Sequence, residues 1–319
     1  MRFHADGPII PDILLNRCDE GRVVFLCGAG VSVPSNMPDF VKLTECVINF
    51  FDPSADSEIR IAFQPWLDEK QKGNESSLKT PLDQIFNLLH MEYGKHEVNQ
   101  LVARRLSAKP SGKIGHEHGL IKRISKSAKG IPQIVTTNFD RLFEGRDQEE
   151  HTYEPPAFPD LGYGSSIEGI TYLHGKLQDP DSESHPYVLS SADFGRAYLS
   201  EGWATKFIRD LLGRYTVVLL GYKAEDPPIK YLLQGLNHDG KYDRSRLYAF
   251  DKGPPEEIEA KWHDLGVTAI AFPDFPKLWE SIQAWAERAD DPRKWRESVI
   301  AKTQQDPKDL AAHERGQVA

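Results

Sequence analysis

Eleven histidines and three cysteines are the side chains of this sequence best suited to hold a metal or move a proton near neutral pH. The cysteines, Cys18, Cys27 and Cys46, form no Cys-x-x-Cys pair. A zinc ribbon needs four ligands at close pairwise spacing, so no metal site is expected, and the three read as reduced thiols of a cytoplasmic protein. Most of the histidines read as surface residues. His174 differs by position, because it follows the apolar run Ile170-Thr171-Tyr172-Leu173 and precedes Gly175. It reads either as a buried histidine bonded at a strand end or as a base for a hydroxyl or a water. Asn138 and Asp140 follow a second apolar run, in Val135-Thr136-Thr137-Asn138-Phe139-Asp140. Either of them caps a helix through Arg141-Leu142-Phe143, or both face a ligand at a strand's carboxyl end. The third feature is Gly28-Ala29-Gly30-Val31-Ser32, directly after Val23-Val24-Phe25-Leu26-Cys27. It serves as a tight turn or as a phosphate loop, whose amides and following helix N-terminus donate to phosphate oxygens. The third glycine of a dinucleotide fingerprint is absent, with Val33 in its place.

Six short apolar runs must position these residues. They are Val23 to Cys27, Gln133 to Thr136, Ile170 to Leu173, Val217 to Leu220, Arg246 to Phe250 and Thr268 to Phe272. Continuous apolar runs fit strands covered on both faces. Helical spacing appears in Phe40 to Phe51, Leu82 to Met91 and Trp203 to Leu212. Strands alternating with helices predict an α/β fold with a mostly parallel sheet. The stretch of about 52–131 lacks a clear strand and reads as a helical insertion, with loops at Lys70 to Lys79 and Ser107 to Ile114. One catalytic unit is therefore expected over 1–289. The polar segment 290–319 is expected to be a surface helix, a flexible tail or the start of a further domain.

With 27% charged and 39% hydrophobic residues, the 319-residue chain is globular in composition. Its net charge of -9 speaks against direct nucleic-acid binding, and no apolar run approaches a membrane span.

Gly28 to Phe40 reads Gly-Ala-Gly-Val-Ser-Val-Pro-Ser-Asn-Met-Pro-Asp-Phe. It resembles the sirtuin signature, a Gly-Ala-Gly-Ile-Ser turn followed by Gly-Ile-Pro-Asp-Phe-Arg. Asn36 replaces a glycine, which is mild because Asn tolerates a left-handed backbone. Val41 replaces the arginine that helps order this loop in the family. Thr137-Asn138-Phe139-Asp140 resembles Gln-Asn-Ile-Asp, and Leu173-His174-Gly175 resembles the family's His-Gly. Gly221-Tyr222-Lys223-Ala224-Glu225-Asp226 resembles the Gly-Tyr-Ser-x-x-Asp segment of bacterial sirtuin-like proteins, and Ser191-Ala192-Asp193-Phe194 a helix-opening segment of that branch. Asp193 is as easily a cap as a contact, and Lys223 meets a phosphate or is solvated. The resemblance spans about Gly21 to Trp285.

The resemblance implies a Rossmann-like sheet with helices on both faces, the helical insertion standing in place of a zinc-binding small domain. It implies NAD as substrate and no zinc. Asn138 would orient water and ribose, His174 would act as general base, and Asp140 would belong to the nicotinamide pocket. Gly28, Ala29, Gly30, Ser32, Asp39, Phe40, Thr137, Gly221, Tyr222 and Asp251 would complete the dinucleotide site. The expected activity is that of an NAD glycohydrolase releasing nicotinamide and ADP-ribose, as in the zinc-free defence branch that depletes NAD during phage infection. The alternatives are an NAD-dependent protein-lysine deacylase and a non-catalytic NAD or ADP-ribose sensor. A hydrolase of this kind must be held silent. Regulation by homo-oligomerisation, or by a domain or partner that senses phage, is therefore expected.

Overall fold

The computed structural model describes residues 1–71, 80–107, 115–144, 150–163, 166–224, 233 and 244–318. Seven strands form one sheet: β1 (Val23–Cys27), β2 (Gln133–Thr136), β3 (Thr152–Tyr153), β4 (Gly169–Tyr172), β5 (Thr216–Leu220), β6 (Leu247–Lys252) and β7 (Thr268–Phe272). Their order is β3-β4-β2-β1-β5-β6-β7, and every strand pair is parallel. The expected α/β class is borne out. All six predicted strands are present; β3 is a two-residue edge strand too short to leave a periodic signal.

Strand burial explains the apolar runs. Alternate residues of β1 enter two different cores, Val24 and Leu26 on one face and Val23, Phe25 and Cys27 on the other. The first face is covered by α8 (Trp203–Arg214) and α9 (Pro255–His263), through Phe207, Leu211, Ile258 and Trp262. The second is covered by α1 (Asp12–Asp19), α6 (His116–Ile124) and α10 (Phe275–Asp290), through Leu15, Ile121, Ile282 and Trp285.

A third core joins α2 (Phe40–Phe51), α3 (Glu58–Gln71), α4 (Leu82–Tyr93) and α5 (Lys95–Ser107), with Val47, Phe63, Phe86 and Val102 at its centre. Tyr187 and Leu189, from the segment after β4, complete it. The described part of the expected insertion is largely helical, and the expected loops fall almost wholly outside the described residues, but α6 lies within its sequence span and packs on the sheet instead. The described residues after Asp290 include two helices, α11 (Pro292–Thr303) and α12 (Ala312–Val318). Trp295 meets Phe3 at 5.4 Å between ring centroids, and Gln317 Nε2 donates to the Arg2 carbonyl at 2.7 Å.

The chain order puts β1 at a switch point. From β1 the chain next pairs on one side with β2 and later on the other with β5. A crevice opens beyond the carboxyl ends of strands at such a point. Gly28, Thr137 and Gly221 each directly follow one of these three strands.

Candidate active site

The loop after β1 is shaped by its neighbour. Gly28 donates its amide to the Leu220 carbonyl at 2.9 Å, and Gly30 donates to the Gly221 carbonyl at 3.1 Å. A Cβ on Gly28 would lie 2.7 Å from the Gly221 carbonyl oxygen, and one on Gly30 would lie 2.9 Å from Gly221 Cα. Gly221 itself has φ +81°, and a Cβ there would lie 2.8 Å from the Val31 amide nitrogen. The three glycines therefore let two backbones touch, a demand separate from any phosphate. The amides of Val31 and Ser32 are used within the loop, on the carbonyls of Gly28 and Ala29. The Ala29 amide finds no acceptor among the described residues.

The expected helix N-terminus directly behind this loop is not there. Two short 3-10 turns, Ala29–Val31 and Val33–Ser35, follow instead. They end at Asn36 with φ 60°, the left-handed position that the sequence reading gave this Asn. Helix α2 starts only at Phe40. Asp39 Oδ1 caps it by accepting the Lys42 amide at 2.8 Å, and Phe40 stacks on Phe86 at 5.3 Å. Phe40 thereby ties the loop's far end to the insertion.

The segment after β2 supplies a buried polar knot. Asn138 Nδ2 donates to the Gly28 carbonyl at 3.0 Å and to Ser32 Oγ at 3.1 Å. Both of its amide hydrogens are thereby used. Its Oδ1 has no partner among the described residues and is left to accept from a ligand. Ser32 Oγ donates to Asp140 Oδ2 at 2.8 Å and lies 3.1 Å from His118 Nε2. Burial pushes the Asp140 carboxyl above the usual carboxylate range, against the opposing pull of the Ser32 hydroxyl and backbone amides. Burial also lowers His118 to about 4, so this imidazole is neutral at pH 7. A hydroxyl has one hydrogen. With that hydrogen directed to Asp140, His118 must donate from Nε2, and its buried Nδ1 is then a lone pair without a partner among the described residues. Asp140 Oδ1 also accepts the Leu142 amide at 3.2 Å, but Arg141 to Glu144 is a turn and not the helix considered from sequence.

Thr137 joins the knot to β5. Its hydroxyl lies 2.7 Å from the Tyr222 hydroxyl, which donates to the Cys27 carbonyl at 3.1 Å. The Tyr222 ring packs where a Gly28 Cβ would stand.

His174 is placed by register. Thr136 pairs with Tyr172, and Leu173 donates its amide to the Thr136 carbonyl at 2.7 Å. Asn138 and His174 each stand two residues beyond this paired position. Leu177 donating to the Phe139 carbonyl at 2.7 Å keeps the two segments together. Gly175 (φ +97°) turns the chain against Pro186, whose carbonyl would be 2.7 Å from a Cβ. The imidazole is buried, and burial lowers it to about 3. Its Nε2 lies 2.8 Å from the Tyr198 hydroxyl, and Phe194 meets the ring edge-on at 5.2 Å.

Gly28, Gly30, Ser32, Thr137, Asn138, Asp140, Gly221 and Tyr222 thus form one connected cluster, with Ala29 in its loop, while the side-chain contacts of His174 are to Tyr198 and Phe194. Asp251 stands two strands from β1, where Trp262 Nε1 donates to its Oδ2 at 2.9 Å. Asp193 closes a capping box with Ser190 and pairs with Lys95. Lys223 is exposed, while Glu225 and Asp226 fall outside the described residues. Sequence reasoning missed His118 and Tyr198. The spacing of His118 to Ile121 and Ile124 was a signal that it lies on a helix's buried face; Tyr198 left none.

Residues 132–270 match the SIR2-like domain family. That span runs from β2 into β7 and holds Asn138, Asp140, His174, Gly221 and Asp251. The sirtuin-like resemblance is borne out at this level. The chain is 34% identical to the "Uncharacterized protein y4cA" of Sinorhizobium fredii (strain NBRC 101917 / NGR234), over 94% of this chain and 25% of that protein. It therefore spans about a quarter of the length of this curated relative. Among solved structures, a Sir2 homolog–NAD complex aligns with TM-score 0.46 and 13% identity, covering 91% of this chain and 97% of that one. A Sir2 homologue mutant with ADP-ribose aligns with TM-score 0.46 and 13% identity, covering 90% and 98%.

Proposed function

We propose, for a chain that carries a SIR2-like domain, that it is an NAD glycohydrolase whose water nucleophile is held by Asn138 and deprotonated through His174. The observation that supports this reading is that Asn138, its Oδ1 without a partner among the described residues, and a neutral His174 each stand two residues beyond the paired ends of neighbouring strands, Thr136 and Tyr172. In the reaction the C–N bond between ribose and nicotinamide breaks, and its electron pair leaves on the ring nitrogen. Nicotinamide departs neutral from a cationic ring. The water oxygen bonds to the anomeric carbon, and its proton passes to the base. The protein has to orient, desolvate and supply the water. Asp140, with Ser32, is assigned to the nicotinamide pocket. Gly28, Ala29, Gly30, Thr137, Gly221 and Tyr222 are assigned to the dinucleotide around the switch point, with Asp39, Phe40 and Asp251 at its margins. NAD is the substrate and no zinc is required.

The biological role we assign is cytoplasmic NAD depletion in defence against phage, held silent by self-association or by a further domain or partner that senses infection. The free thiols Cys18, Cys27 and Cys46 support a reducing compartment.

Incubation with NAD, without any acylated peptide, tests the reading through nicotinamide release. Release is expected, and Asn138→Ala or His174→Ala should lower it about 100-fold or more. Release that depends on an acyl-lysine peptide would establish a deacylase instead. NAD binding with no release under any condition would establish a sensor.

A further inference from the structure

Beyond that assignment, and resting on it for the reaction, we propose that Tyr198 is a catalytic residue whose hydroxyl relays the proton between the attacking water and His174. Tyr198 lies on a single widened helical turn, Arg196–Ser200, between α7 (Ser191–Gly195) and α8. Such π-turns shift the residues they carry relative to a regular helix. This one is held at both sides. Before it, Ser190 and Asp193 cap each other, and Asp193 pairs with Lys95 of the insertion. After it, Thr205 Oγ1 donates to the Tyr198 carbonyl at 2.7 Å. The result is a phenol hydroxyl 2.8 Å from His174 Nε2, with the Phe194 and Tyr198 rings both standing edge-on to the imidazole.

Hydrogen counting gives the direction of this bond. Among the described residues the Tyr198 hydroxyl contacts no acceptor other than Nε2. Burial keeps the phenol protonated and the imidazole neutral. A protonated phenol facing a neutral imidazole donates its hydrogen to the ring's lone pair, so Nε2 is the acceptor and Nδ1 carries the ring proton. The lone pair through which His174 can act as a base is therefore capped by Tyr198. A proton reaches it by a two-bond exchange: the phenol O–H breaks as its hydrogen bonds to Nε2, while the phenol oxygen takes a hydrogen from water. The water oxygen, left with the electron pair, attacks the anomeric carbon as nicotinamide leaves. The imidazolium then returns its proton to solvent, and the sum is NAD plus water giving nicotinamide, ADP-ribose and a proton.

The experiment compares Tyr198→Phe, which keeps the ring packing, with His174→Ala and the double variant. If the relay operates, Tyr198→Phe lowers kcat about 100-fold with KM nearly unchanged, and the double variant is no slower than His174→Ala. A kcat within a few-fold of the parent overturns the relay. So does faster turnover, which would mark Tyr198 as a plug on the histidine. A second readout is independent of activity. In the ¹⁵N spectrum His174 is expected with its proton on Nδ1, shifting towards an Nε2-protonated form in Tyr198→Phe. An Nε2-protonated parent overturns the proposal even if the parent cleaves NAD. A parent that cleaves no NAD overturns the hydrolase reading and the relay with it, and the expected spectrum then keeps only the hydrogen-bond assignment.

Discussion

At the residue scale, the site is an account of where a few hydrogens go. Ser32 Oγ sits among Asn138, Asp140 and His118, and each of these contacts fixes the others. His118→Ala is expected to destabilise the protein by about 1–3 kcal/mol in urea unfolding, because Ser32 loses a buried partner and the ring leaves a void. His118→Gln, which keeps a donor, is expected to recover part of that loss. The pH dependence follows from two imidazoles held below the ordinary histidine value of about 6.5, His118 at about 4 and His174 at about 3. Above the ordinary value both are neutral whether folded or unfolded. As pH falls below it, the unfolded chain binds protons that the folded chain refuses. Stability from this source is therefore lost steadily down towards the folded values. Asp140 works in the opposite sense: its raised pKa means that charging it costs stability as pH rises through the carboxylate range. Urea midpoints measured across pH should fall less steeply on the acid side in His118→Gln than in the parent. Equal slopes would show that His118 is protonated in the fold.

At the element scale, the glycines separate into those that let backbones touch and those that only turn the chain. Gly221 has φ +81° and backbone atoms of Val31 and Gly28 within 3 Å of a would-be Cβ. Gly130 has φ +77° and nothing within 4 Å. Gly130→Ala should cost only the left-handed penalty, about 1–2 kcal/mol. Gly221→Ala should cost about 1–3 kcal/mol more, by overpacking β1 against β5, and should weaken NAD binding. Thermal unfolding of the two variants side by side tests this, and equal losses would refute the backbone contact.

At the scale of the whole molecule, one core lies on each face of the sheet and a third joins α2 to α5, and the insertion reaches the candidate base through Lys95, Asp193 and the turn of Tyr198. A ligand that binds only the folded state stabilises it by mass action, about 2.7 kcal/mol at a hundredfold excess over Kd. NAD is accordingly expected to raise the Tm of a His174→Ala variant that cannot consume it. An unchanged Tm over a wide NAD range would count against the whole dinucleotide site. The helices α11 and α12 touch the rest through Phe3–Trp295 and Gln317–Arg2. Removing residues 291–319 should cost only about 1 kcal/mol, the order of one aromatic pair, and leave nucleotide binding intact.

The sequence alone determined six of the seven described strands, because a strand buried on both faces needs an unbroken apolar run, and four or five residues suffice to show one. It also located Gly28, Asn138 and His174, because in a parallel sheet ligand-facing residues follow directly after such runs. Tertiary structure alone decided what those residues do for each other. That Gly28 and Gly30 answer to Gly221, nearly two hundred positions away, depends on β1 pairing with β5. That Asn138 and His174 each follow a paired position by two residues depends on the β2–β4 register. His118 and Tyr198 joined the site from a helix and a widened turn whose packing no local pattern encodes. Spacing along a chain fixes which face a residue lies on, but which partner meets it there is settled by contacts between distant segments.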